Sequence, residues 1–176
     1  MLLDTPVCEF GWKAPDFTLR DVAGASHSSA QVMTQKGLLI AFICNHCPYV
    51  KRIASRLAED LNTLQKQGVG VLAVMSNDYQ SHPEDSPKNM EIFAGAHGFR
   101  FPYLIDADQS VAKTYGAVCT PDFFGFNGKG ELQYRGHFEN PMSLKRDLLA
   151  AMRQIATTGK GPAEQTASMG CSIKWR

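Results

Sequence analysis

The chain has 176 residues, 18 basic against 17 acidic, with 44% hydrophobic content, enough for one domain with a full core. The balanced charge excludes a basic nucleic-acid stripe and a charged tail, and no apolar run approaches a membrane span. An odd count of five cysteines, with a start (Met1-Leu2-Leu3-Asp4) that lacks a leader pattern, argues against a disulfide-stapled secreted fold and sets a reducing, cytoplasmic location as the expectation.

Residues 14–19 read as a short extended segment before a Gly/Ser/His turn region at 24–29. Residues 38–43, Leu-Leu-Ile-Ala-Phe-Ile, form an unbroken apolar run and predict a buried strand. From Pro48, the residues Val50, Ile53, Leu57, Leu61 and Leu64 recur at spacings of three and four, one face of a helix ending at Gly68. Pro48 is tolerated there because its missing N–H falls in the first turn. Residues 69–75 are a second buried strand, so strand, helix and strand make a parallel, right-handed βαβ unit. A polar, proline-marked loop (76–87) leads to a helix over 88–97, an extended segment at 101–105 and a short helix at 110–115. Residues 122–126 and 131–135 flank Asn127-Gly128-Lys129-Gly130, a hairpin signal. A closing helix is expected over 143–157, and 159–176 reads as an extended tail without periodicity, with Ile173 and Trp175 apolar enough to dock it.

Chemistry concentrates at Cys44-Asn45-His46-Cys47, between the first buried strand and its helix. A thiolate at a helix mouth faces unpaired backbone N–H groups and the positive end of the helix dipole, which lowers its pKa and makes it a nucleophile. Two cysteines three apart also close on each other as a disulfide. Two other readings compete. Core packing of two small apolar side chains is one. A zinc site is the other, but no second C-x-x-C exists and the histidines, at 27, 46, 82, 97 and 137, are scattered, which leaves a set completed by Cys119.

The order of elements, with C-x-x-C at the first strand-to-helix junction, resembles the thioredoxin fold from about residue 14 to about 157: an α/β domain with a central mixed sheet flanked by helices, an N-terminal extension and a C-terminal tail. Val118-Cys119-Thr120-Pro121, just before the hairpin, is similar to the family's cis-proline loop. The resemblance implies that Pro121 is cis, lies beside Cys44, and belongs to a loop that offers backbone groups to an incoming chain, with Thr120 and Cys119 as substrate-binding positions. Ala14-Pro15-Asp16-Phe17, the insert after residue 74, and Phe101-Pro102-Tyr103-Leu104-Ile105-Asp106 resemble the redoxin, or AhpC/TSA (peroxiredoxin-like), branch of that superfamily. The stretch Asn45 to Lys51, together with Gly170-Cys171-Ser172-Ile173-Lys174-Trp175, is similar to one bacterial subgroup of redoxin-domain proteins.

The chain also departs from its relatives. Peroxidatic cysteines sit in P-x-x-x-T-x-x-C, and with Cys47 in that place the Pro and Thr positions hold Ile40 and Cys44; with Cys44 they hold Gly37 and Ala41. Neither register keeps the peroxide-binding hydroxyl. Small thioredoxins carry Trp before the first cysteine and a buried Asp six residues before it; here those positions are Ile43 and Leu38.

The expected function is therefore thiol–disulfide oxidoreduction by a Cys44–Cys47 couple, without cofactor or metal. Protein or small-molecule thiols and disulfides are the expected substrates and an upstream reductant the expected partner; neither nucleic acid nor membrane is. Cys44 is expected to start the helix, to be the more exposed thiol and to act as nucleophile, with Cys47 one turn in as the resolving thiol. His46 is expected to stabilise the Cys44 thiolate. Cys119 is either a third thiol or buried strand-end packing, and Cys171 is a candidate accessory thiol that folds back on the pair, bonds to Cys8 or stays free. The alternatives are a thiol peroxidase and a metal-binding or redox-sensing protein built on the same cysteines.

Overall fold

A computed structural model describes residues 1–176. In chain order its elements are β1 (Leu2–Asp4), β2 (Thr18–Asp21), β3 (Ser26–Ser28), α1 (Ser29–Val32), β4 (Leu38–Phe42), α2 (Pro48–Lys66), β5 (Gly70–Met75), α3 (Pro87–His97), β6 (Tyr103–Ile105), α4 (Ser110–Tyr115), β7 (Cys119–Thr120), β8 (Asp122–Phe126), β9 (Leu132–Tyr134), α5 (Asp147–Thr158) and β10 (Met169–Ser172). A 3-10 turn, Pro83–Asp85, interrupts the loop before α3.

Seven strands form a mixed sheet in the order β3-β2-β6-β5-β4-β8-β9. β4 pairs parallel with β5 and antiparallel with β8, so it is central. Its every residue is buried, which explains the unbroken apolarity of 38–43. Successive side chains point to opposite faces. Leu39, Ala41 and Ile43 join the cluster under α2, α3 and α5, with Leu57, Met90 and Met152. Leu38, Ile40 and Phe42 face the other way, onto Tyr115 of α4, Phe124 and Phe126, against which Trp12 packs.

The buried residues of α2 are those its three-four spacing marks, from Val50 to Leu64. The helix stops at Gln67, and Gly68 takes φ 93°, a left-handed turn that glycine adopts without a Cβ clash.

Three expectations need correction. The closing helix starts at Asp147, not 143, because Asn140 organises a turn: its side-chain oxygen accepts from the Met142 and Ser143 amides, and Leu144 sits at φ 58°. The segment read as a turn at 24–29 carries strand β3, paired with β2. The tail is not an unpaired extension: β10 lies between β1 and β7 in a separate three-stranded antiparallel sheet. Both termini thereby meet at β7, the edge that leads into Pro121.

Candidate active site

β4 ends at Phe42, and the chain runs through Cys44 to Cys47 before α2 begins at Pro48. Cys47 is thus the N-cap of α2, and Cys44 lies three residues outside the helix. The sequence placed Cys44 at the helix start; proline fixes the first helical position at 48 instead. Neither member of the pair is exposed: Cys44 is 1% accessible and Cys47 0%. β8 pairs with β4 and holds the preceding loop over this junction.

That loop is the expected one. The Thr120–Pro121 peptide is cis. Thr120 Oγ1 lies 3.3 Å from Cys44 Sγ, and Cys47 Sγ lies 3.2 Å from Thr120 O. One residue therefore touches both sulfurs, one through its hydroxyl and one through its carbonyl. Cys119 does not join them. Its thiol is fully buried, its one polar contact is Pro121 O at 4.0 Å, and burial with the nearby Asp122 carboxylate pushes its pKa up to about 12.

The two thiols of the pair are strongly unequal. Cys47 is pulled from the ordinary 9.0 down to about 4, chiefly because Cys44 donates its S–H to it. Burial opposes this, while the thiol and amide of Cys171 and the amide of Val50 favour the charge. The Val50 amide belongs to the first turn, though it falls short of a full capping hydrogen bond. Cys44 is driven well above 9.0, first by donating to Cys47, then by burial and by the Asp85 carboxylate. Of the two, Cys47 is thus the more readily ionised.

Asp85 is the functional-site residue that sequence reasoning missed. It comes from the 3-10 turn in the loop before α3 and is completely buried. Oδ1 accepts from the amides of Asn45 (2.8 Å) and His46 (3.3 Å), and Oδ2 from His46 Nδ1 (2.6 Å) and Asn77 Nδ2 (2.8 Å). These bonds explain how a carboxylate is tolerated there. Asn45 adds two more ties, donating to Glu84 O and accepting from Tyr103 Oη. His46 is thereby turned toward Asp85 and stacks on His82, with ring centroids 5.9 Å apart. An acid within a polar loop such as Ser81-His82-Pro83-Glu84-Asp85 gives no sequence signal of burial; only the return of the loop onto the C-x-x-C reveals it.

Cys44, His46 and Asp85 have ligand atoms within 4.8 Å of one another, so these three could hold one metal ion. Cys171 is partly exposed and lies against the cluster that contains Cys44 and Cys47. Cys8 packs against the cluster on the other face of the sheet, so the two do not pair. No helix is long and apolar enough to cross a membrane.

Comparison with known proteins agrees with this geometry. Residues 10–138 match the model of the AhpC/TSA family. Thiol-disulfide oxidoreductase ResA of Geobacillus thermodenitrificans is 32% identical over 124 residues, 70% of this chain and 66% of that protein. The chain thus spans just under two thirds of that relative's length. Two solved structures cover nearly the whole chain. A hypothetical protein from Sinorhizobium meliloti is 38% identical, with a TM-score of 0.93 over 98% of both chains. A conserved protein from Geobacillus kaustophilus, described as uncharacterized, is 37% identical, with a TM-score of 0.94 over 100% of this chain and 97% of its own. With this fold, the paired cysteines and a family match across most of its length, the chain belongs to the AhpC/TSA family, in the redoxin branch of the thioredoxin-like proteins.

Proposed function

We propose that the protein is a thiol–disulfide oxidoreductase whose working couple is Cys44–Cys47. The observation that carries this reading is the pair of sulfurs held side by side at the cis-proline loop, Cys44 Sγ 3.3 Å from Thr120 Oγ1 and Cys47 Sγ 3.2 Å from Thr120 O. In the reductive direction the Cys47 thiolate attacks a disulfide sulfur and one thiolate leaves. Cys44 then gives up its proton, with the Asp85 carboxylate beside it as acceptor, attacks Cys47 Sγ and expels the second thiolate. One substrate S–S bond breaks, the Cys44–Cys47 bond forms, and two electrons pass to the substrate. The nucleophile and resolving roles are thus exchanged relative to the sequence reading, because the helix dipole acts at Cys47. His46 acts as a positioning residue through Asp85, and Thr120 aligns both sulfurs. A reducing compartment suits a resting dithiol.

The name of the ResA relative supports the same activity, whereas a thiol-peroxidase reading has less support. The hydroxyl at this site, that of Thr120, contacts Cys44 and not the charged Cys47.

The test is exchange with a model protein disulfide. Cys47→Ser should abolish it, and so should Cys44→Ser, which leaves Cys47 without its disulfide partner. Turnover undiminished in Cys47→Ser would refute the proposal.

A further inference from the structure

The couple just proposed is sealed from solvent, with both sulfurs 1% accessible or less. What seals it is the C-terminal strand. In β10, Cys171 sits opposite Thr120 and Ser172 opposite Cys119, so the strand occupies the edge of the cis-proline loop. Ile173 N donates to Val118 O at 3.0 Å and extends this pairing. Gly170 is required for it, because a Cβ at that position would overlap the Thr120 carbonyl oxygen. Beyond the strand, Ile173 is buried, Lys174 N donates to Asn77 Oδ1 at 2.9 Å, and Gln109 Nε2 donates to Lys174 O at 2.8 Å. From the other side, β1 pairs with β10, and Leu2 lies opposite Cys171.

This arrangement sets one thiol against the pair. The register puts Cys171 across from Thr120, whose carbonyl contacts Cys47 Sγ, and Cys171 packs against the cluster that contains both Cys44 and Cys47. Of these three thiols, only Cys171 reaches solvent.

We propose that Cys171 is a third redox thiol that carries a disulfide between an external substrate and the buried Cys44–Cys47 pair. The proposal rests on the couple inferred above and adds its point of entry. Cys171 gives its proton to solvent and attacks the substrate disulfide, and one product leaves as a thiolate that solvent protonates. Cys47 then attacks Cys171 Sγ, expelling the second product and forming a Cys47–Cys171 bond. Cys44, after losing its proton, attacks Cys47 Sγ, closes Cys44–Cys47 and frees Cys171, which is reprotonated. One substrate S–S bond has become one enzyme S–S bond, and Cys171 returns unchanged.

Two variants of the full chain test this. Cys44→Ser oxidised with one equivalent of diamide should hold a Cys47–Cys171 bond by peptide mass mapping after acid quench. Gly170→Ala in that background, which drives the strand off the loop, should lose it. Cys171→Ser should slow reduction of insulin disulfides by about tenfold or more through loss of the pre-positioned thiol, yet retain the Cys44–Cys47 equilibrium with glutathione. Absence of the Cys47–Cys171 bond in folded Cys44→Ser, or an unchanged rate in Cys171→Ser, overturns the proposal. Loss of the glutathione equilibrium in the unsubstituted protein would instead overturn the underlying couple.

Discussion

Replacing Asp85 by asparagine separates the charge at the site from its shape. The carboxylate is fully buried and accepts four hydrogen bonds, two at each oxygen. Asparagine keeps the acceptor for the Asn45 and His46 amides but turns a donor toward His46 Nδ1 and Asn77 Nδ2. His46 can answer by changing tautomer and accepting. Asn77 cannot turn over without cost, because its oxygen already accepts from Lys174 N. One bond to a charged group is therefore lost and another weakened, at about 1.5–3 kcal/mol for the first. A total near 3 kcal/mol corresponds to a Tm lower by about 6–12 °C for a chain of this size. The same change removes the negative charge that raises the Cys44 pKa, so Cys44 should deprotonate at lower pH. Both thiols of the reduced form are then easier to ionise, and the couple should become more oxidising, with each 30 mV worth about 1.4 kcal/mol. Urea denaturation and the pH profile of alkylation read the two effects. A destabilisation below about 1 kcal/mol, together with an unmoved alkylation profile, would refute the role given to Asp85.

Other consequences are as direct. Absorbance at 240 nm should show a thiolate titrating near pH 4, absent in Cys47→Ser; a step near the ordinary 9.0 would contradict the charge placement. Because the folded value is depressed, this thiolate's contribution to stability is complete above about pH 9 and disappears as pH falls through about 4. Arg135→Ala should cost about 3–5 kcal/mol, since it strands the buried Asp122 carboxylate, which Arg135 Nη2 contacts at 2.8 Å. Asp122 is already raised by burial to about 6, so the deficit should shrink as pH is lowered past that value, measured by denaturation at pH 5 and pH 8. Leu57→Ala, under the sheet on α2, should cost about 2–5 kcal/mol in the same assay.

The parts of this molecule readable from sequence are those governed by period. β4 and β5 are continuous apolar runs because both their faces are covered, and α2 shows its stripe because one face packs on them. The cis-proline loop was legible only through family resemblance, since Thr-Pro alone does not specify a cis bond. What escaped was set by long-range return of the chain. β10 is a Met-Gly-Cys-Ser strand with no alternating pattern, held between β1 at the other end of the sequence and β7 some fifty residues before it. Asp85 is one acid in a polar loop until that loop folds onto the cysteines.

The most direct test of the central claim is a redox titration of Cys44 and Cys47 against glutathione, with Cys47→Ser as control. A reversible two-electron couple that disappears in the variant is the predicted result. The contradicting result is no reversible couple, with both thiols protected from alkylation until metal is stripped; the Cys44, His46 and Asp85 cluster would then be a metal site.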